Sequence, residues 1–154
     1  MVTDIIREFD SYDISPEYIE FEVTESVFFE EAQLIISKIE KLRERGFRVS
    51  VDDFGAGYSS LNLIGILPVD IIKLDKSILW NSDTNENAQT ILACTIRMLK
   101  DMHFKVLIEG VETKEQLDKV VALGVDYCQG YYFSRPIPGD RFVDYCKSGK
   151  GVTS

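Results

Sequence analysis

Short runs of apolar and β-branched residues alternate along this chain with segments whose apolar residues recur every three or four positions. The runs Tyr18–Val23, Val49–Asp53, Ile71–Asp75, Lys105–Ile108 and Val125–Cys128 read as strands. Helical spacing is carried by Ala32, Ile35, Ile36, Ile39 and Leu42, by Ala88, Ile91, Leu92, Thr95, Ile96 and Leu99, and by Leu117, Val120 and Val121. Strand, helix and strand joined by short connections require right-handed parallel β/α units. The expectation is an α/β fold of about five parallel strands with intervening helices.

In such folds the carboxyl ends of the strands hold the reactive groups, because a rigid scaffold presents variable loops there. Those ends carry Glu22, then Asp52 and Asp53, then Lys73 and Asp75, then Glu109 and Glu112, then Gln129. One acidic strand end is ordinarily a solvated surface. Carboxylates at four successive ends describe a ring of anions that repels itself unless a divalent cation or a lysine sits inside it. Lys73, embedded among apolar neighbours directly before Leu74-Asp75, is the lysine in position to do so. Asp52 and Asp53 add a geometric constraint, because alternate strand residues face opposite ways. Both project inward only if the strand ends or bulges between them, and Gly55 and Gly57 let the chain turn sharply just after.

The remaining segments fit around these units. Val2, Ile5, Ile6 and Phe9 place an amphipathic helix at the start, with no strand before it. Gly46 suits the left-handed cap of the helix that begins near Glu30, and Ser59-Ser60 would cap a short helix carrying Leu61, Ile64 and Leu67, closed by Pro68. Asn81 to Asn87 reads as a polar linker, His103 as a helix-end residue and not a ligand, and Thr113 with Gln116 as a capping box. Gly124 follows that helix, a last helix spans about Phe142 to Cys146, and 147–154 reads as a disordered tail behind a domain portion of 1–146.

At 154 residues, 45% of them hydrophobic, the chain supports one core and not two ordinary domains. Its 17 basic and 26 acidic residues give a formal charge of -9, with no basic stripe of the kind a DNA or RNA polymer demands. Cys94, Cys128 and Cys146 are odd in number and widely spaced, which fits reduced thiols in a cytoplasmic setting. No apolar stretch reaches the roughly 18 residues of a membrane span. Asp53-Phe54-Gly55 matches the kinase metal tripeptide, but without the accompanying catalytic loop the match is coincidental.

What the strand ends resemble is the EAL family of cyclic di-GMP phosphodiesterases. The matching stretches are Glu22-Val23-Thr24-Glu25-Ser26, Asp52-Asp53-Phe54-Gly55-Ala56-Gly57-Tyr58-Ser59-Ser60, Leu67-Pro68-Val69-Asp70, Ile72-Lys73-Leu74-Asp75, Glu109-Gly110-Val111-Glu112-Thr113, and Gln129-Gly130-Tyr131 with Ser134-Arg135-Pro136. They stand in the family's order and spacing from about residue 14 to residue 146. The resemblance implies a TIM-type (β/α) barrel that holds two Mg²⁺ or Mn²⁺ ions and hydrolyses cyclic di-GMP to linear pGpG. Carried over by motif, Glu22 and Asp52 resemble metal ligands and Asp53 the ligand of the second ion. Lys73 resembles the lysine that holds the attacking water or a phosphate oxygen, and Glu109 the general base. Asp75, Glu112 and Gln129 resemble supporting or substrate-side residues. Glu25 resembles the anchor of the loop from Phe54 to Ser60, with a part in dimer contacts.

The sequence also departs from that pattern. The Glu-Ala-Leu glutamate that names the family, and an asparagine ligand on the next strand, have no counterpart here, and about five of the roughly eight strands of such a barrel are present. The expectation is therefore a C-terminal portion of the domain, lacking the N-terminal strands, with weakened cation binding and weak or absent turnover. Open barrel edges are expected to drive self-association. A non-catalytic cyclic di-GMP-binding or dimerisation module is the alternative reading.

Overall fold

A computed structural model describes residues 2–56 and 64–148, with the side chains of 28–31 outside the description. Five parallel strands form one sheet in the order β1-β2-β3-β4-β5. They are β1 (Glu20–Thr24), β2 (Arg48–Phe54), β3 (Ile71–Leu74), β4 (Lys105–Ile108) and β5 (Tyr127–Cys128). The α-helices that lie wholly within the described residues are α1 (Val2–Phe9), α2 (Phe28–Glu44), α3 (Lys76–Asn81), α4 (Glu86–Asp101), α5 (Lys114–Ala122) and α6 (Gly139–Lys147). Sequence order and spatial order coincide, as successive right-handed β/α units require.

The register divides the sheet into two chemically distinct faces. Val51, Ile72 and Val106 lie in one row across it, and Leu74 and Ile108 share that face one step further on. This face meets Ile39 and Leu42 of α2, Leu92, Ile96 and Leu99 of α4, and Leu117 and Val120 of α5, all buried in one apolar core. Phe47 completes its lower corner, edge-on to Phe9 of α1 at 4.7 Å and to Phe21 of β1 at 5.1 Å between ring centroids. The opposite face carries Glu22, Ser50, Asp52 and Lys73.

At the strand starts, two aspartates tie neighbouring strands together. Asp70 accepts a hydrogen bond from the Val49 backbone N–H at 3.1 Å and pairs with Arg43 of α2 at 2.8 Å. Asp126 repeats the arrangement two strands on, accepting from the Val106 N–H at 2.9 Å and from Lys100 of α4 at 2.6 Å. Each otherwise unmatched strand-start N–H is thereby satisfied by a carboxylate anchored to the preceding helix.

Several boundaries differ from the expectations. A 3₁₀ turn, Pro16–Tyr18, occupies the start of the first expected strand, which begins at Glu20 because Pro16 favours the first position of a turn. The second half of that strand and the helix behind it stand as expected, although α2 begins at Phe28. Helix α3 covers Lys76–Asn81 and reaches into the expected linker; Asp75 caps it, accepting from the Ser77 N–H at 2.9 Å, and Leu79 pins it to the core. His103 follows the end of α4 at φ 68, and the Thr113–Gln116 capping box is fully formed. The last helix runs through Lys147, with Ser148 as its cap, so the expected tail falls on 149–154, outside the described residues. The expected cap at Ser59-Ser60 and Leu61 also lie outside them; Ile64 and Leu67 are described and buried.

Candidate active site

Strand β2 departs from regular pairing where the sequence demanded it. Val51 stands opposite Ile72 and Phe54 opposite Leu74, so Asp52 and Asp53 together face the single residue Lys73. This is a β-bulge, and Asp53 takes it up in the left-handed region at φ 56, a conformation aspartate tolerates better than most residues. Two consecutive carboxylates therefore reach the same side. Carboxylate oxygens of Asp52, Asp53 and Glu109 all lie within 4.8 Å of one another.

Lys73 stands among them. Its Nζ is 2.8 Å from Glu22 Oε1, 2.8 Å from Asp52 Oδ1 and 3.2 Å from Glu109 Oε1, and its side chain is only 6% exposed. Burial works against the ammonium charge, but the carboxylates of Asp52, Glu22 and Glu109 outweigh it and hold the lysine well above its usual range. Glu109 moves the other way from an ordinary glutamate. Burial pushes its carboxyl up, and the charges of Asp52 and Asp53 push it further, against the pull of Lys73. Gln129 fixes the same carboxylate, donating from Nε2 to Glu109 Oε1 at 2.9 Å.

The donor set fits a hard cation. It consists of carboxylate oxygens alone, and Asp52 Oδ1 is shielded from solvent with no aligned hydrogen-bond donor among the described residues. Lys73 Nζ places a positive charge 2.8 Å from that oxygen.

Beyond the carboxylates opens a cavity of about 480 Å³, lined by Lys76 and Trp80 of α3, by Glu109, Gly110 and Glu112, and by Gln129, Tyr131 and Arg135. Tyr131 carries the Arg135 guanidinium 4.5 Å from its ring centroid, and Trp80 carries Lys76 Nζ at 5.1 Å. Ring faces suit stacked planar groups, and the cations beside them suit anionic ones. Gly130 is needed where two segments cross, because a Cβ there would stand 2.1 Å from the Val111 carbonyl oxygen.

A model of the EAL domain matches residues 1–136. The chain belongs to the EAL domain family. It is 40% identical over 121 residues to the cyclic di-GMP phosphodiesterase NbdA of Pseudomonas aeruginosa, a match covering 79% of this chain and 16% of that protein. Among solved structures, an EAL domain protein from Listeria monocytogenes is 36% identical with a TM-score of 0.84, covering 96% of this chain and 58% of that one. Klebsiella pneumoniae BlrP1, in a complex with manganese and cyclic di-GMP, is 31% identical with a TM-score of 0.79, covering 88% of this chain and 34% of that one. The chain spans between 16% and 34% of the length of the first three curated relatives. EAL domains are TIM-type barrels, and the five parallel strands are part of that architecture.

Of the EAL residues singled out by sequence, the structure brings Glu22, Asp52, Asp53, Lys73, Glu109 and Gln129 into one cluster. Glu112 lines the cavity. Glu25 is buried beside the bulge and accepts from the Gly55 N–H at 3.4 Å. Asp75 caps α3, where the Ser77 N–H and hydroxyl and the nearby Lys76 charge hold its carboxyl below the usual range despite partial burial. Sequence reasoning missed Lys76 and Trp80, which lie within a helix too short to give a periodic signal. All three cysteines are unpaired, and no helix among the described residues is long and apolar enough to cross a membrane.

Proposed function

We propose that this chain carries the C-terminal part of a divalent-cation-dependent phosphodiesterase site that hydrolyses cyclic di-GMP to linear pGpG. The observation that carries this reading is the convergence of Asp52, Asp53 and Glu109 within 4.8 Å around Lys73. Asp52 and Asp53, with Glu22 beside them, would hold Mg²⁺ or Mn²⁺, two ions in a complete site. When bound, such ions polarise phosphoryl oxygens and lower the pKa of bound water.

The chain's own residues account for the rest. Lys73 presents a permanent positive charge to the phosphodiester, where negative charge develops. Glu109, whose carboxyl is pushed above its ordinary range chiefly by burial, takes the proton from the attacking water, while Gln129 keeps the carboxylate oriented through Oε1. Tyr131 with Arg135 and Trp80 with Lys76, all on the cavity lining, supply ring faces and charge for a dinucleotide. The relatives' cyclic di-GMP phosphodiesterase names and the cyclic di-GMP complexes among the neighbours support the choice of substrate.

The test is incubation with cyclic di-GMP and Mn²⁺, following pGpG by chromatography, with Glu109→Gln as control. Product that vanishes in the variant bears the reading out. Saturable dinucleotide binding without product in wild type would favour a non-catalytic binding module instead. We also propose a cytoplasmic location and self-association through the outer edges of β1 and β5, the two edges of the described sheet. A monomer at high concentration in light scattering would contradict the second of these.

A further inference from the structure

The backbone that carries Glu109 is held on three sides. Its own N–H donates to Leu74 O at 3.1 Å, continuing the sheet, and the Val111 N–H donates to Gln129 O at 3.1 Å. Between them the chain turns at Gly110, φ 72, and the Gly110 carbonyl receives the indole N–H of Trp80 at 2.9 Å. Helix α3 presses directly on this turn, since a Cβ on Gly110 would stand 2.4 Å from Lys76 Cβ and 3.3 Å from Trp80 Nε1.

We propose that Trp80 is a positioning residue for Glu109: its indole N–H holds the Gly110–Val111 peptide, the far side of the turn at Gly110, and so keeps the Glu109 carboxylate turned to Lys73 and Gln129. The side-chain contacts at 3.2 Å and 2.9 Å survive only while the Cα–Cβ direction of Glu109 is fixed. The turn pivots on Gly110, where a glycine leaves the backbone without intrinsic restraint. The sheet holds the upstream peptide through the Glu109 N–H, while the indole and the Gln129 carbonyl hold the C=O and N–H of the downstream Gly110–Val111 peptide. Strand β3 thus serves the site twice, through Lys73 at its end and through Trp80 of the helix that follows it. The consequence for cation binding rests on the proposed cation site at Asp52 and Asp53, whose carboxylate oxygens lie within 4.8 Å of those of Glu109; the lock itself does not.

The full chain with Trp80→Phe, which keeps a ring and removes the N–H, and with Trp80→Leu, which removes both, separates positioning from packing. Three quantities are measured: melting temperature, Mn²⁺ affinity by calorimetry, and the Glu109 side-chain carboxyl and Gln129 side-chain amide resonances in NMR. Positioning predicts a similar loss of Mn²⁺ affinity in both variants, roughly five- to tenfold for one lost hydrogen bond. Both sets of resonances shift, and only Trp80→Leu melts markedly earlier. Affinity that falls in proportion to melting temperature, or Glu109 and Gln129 resonances unmoved in Trp80→Phe, overturns the proposal. If the wild-type chain takes up no Mn²⁺, the cation-site reading fails and the resonances alone decide the lock. Because Trp80 is the single tryptophan, its indole N–H gives one resonance in the unmodified chain. Fast solvent exchange of that proton would also overturn the proposal, whatever the variants do.

Discussion

Replacing Lys73 by methionine keeps most of the buried stem and removes the charge on which three carboxylates converge. The ammonium lies 2.8 Å from both Glu22 and Asp52 and 3.2 Å from Glu109, while those partners' side chains are 50%, 22% and 19% exposed. The half-exposed Glu22 contributes as a surface pair does, between about 0 and 1 kcal/mol. Asp52 and Glu109 are more enclosed, and removing one partner of a buried pair costs about 3–5 kcal/mol. Partial hydration places the loss for Lys73→Met near the lower end, about 3 kcal/mol. A chain of this size loses about 2–4 °C of melting temperature per kcal/mol, so the variant should melt about 6–12 °C below wild type in EDTA.

The same substitution sharpens the test of the ligand cluster. Without the ammonium, the oxygens of Asp52, Asp53 and Glu109 still lie together and now repel without compensation. A divalent cation binding only the folded state stabilises it by about 2.7 kcal/mol at a hundredfold excess over Kd. Mn²⁺ should therefore raise the melting temperature of Lys73→Met more than that of wild type, recovering most of the deficit. Circular-dichroism melts of both proteins in EDTA and in Mn²⁺ suffice. Equal melting temperatures in EDTA would show that the carboxylates do not depend on Lys73. A deficit that Mn²⁺ leaves untouched would show that the cluster does not take a cation.

Other perturbations address separate parts of the structure. Burial pulls the Asp126 carboxyl up, but Lys100, the Val106 N–H and Lys105 outweigh it, so its folded pKa lies below the ordinary range. The associated stability is fully present above the ordinary aspartate range near pH 4 and disappears as pH falls through the depressed folded value. Asp126→Asn should thus cost about 2 kcal/mol in denaturant titrations at pH 7 and much less at pH 3, and an equal deficit at both would refute the charge argument. Asp53 does two jobs, as carboxylate and as a left-handed residue in the bulge. Asp53→Asn should keep the backbone and lose Mn²⁺ affinity, whereas Asp53→Ala should lose the same affinity and about 1 kcal/mol of stability besides, both read by calorimetry and melts.

The limits of the sequence are visible at the edges of each apolar stripe. Helical spacing correctly identified Ile39, Leu42, Leu92, Ile96, Leu99, Leu117 and Val120 as core. It also included Ile5, Ile91 and Val121, which are 39%, 60% and 57% exposed. Periodicity gives the direction of a helix face but not its width, because the width depends on how far the neighbouring helices stand away. Helix α3 escaped notice because six residues make less than two turns. The chemistry of Asp75, a capping carboxylate, then looked like that of the site residues two positions before it.

The residues at the strand ends were legible for a different reason. Charge clustered at the ends of apolar strands contradicts what folding alone favours, so it stands out against the pattern that surrounds it. The pair Asp52-Asp53 went further, because period-two alternation forbids two adjacent residues from sharing a face, and two carboxylates so placed forced a choice between a surface pair and a bulge. The bulge opposite Lys73 is the outcome. What the one-dimensional pattern lacked was the position of Trp80, whose connection to Glu109 runs through a backbone carbonyl. A contact to a main-chain atom constrains the identity of Trp80 and leaves no mark on its partner's side chain, apart from the glycine that lets the indole approach. Such contacts become visible only when the turn itself is seen.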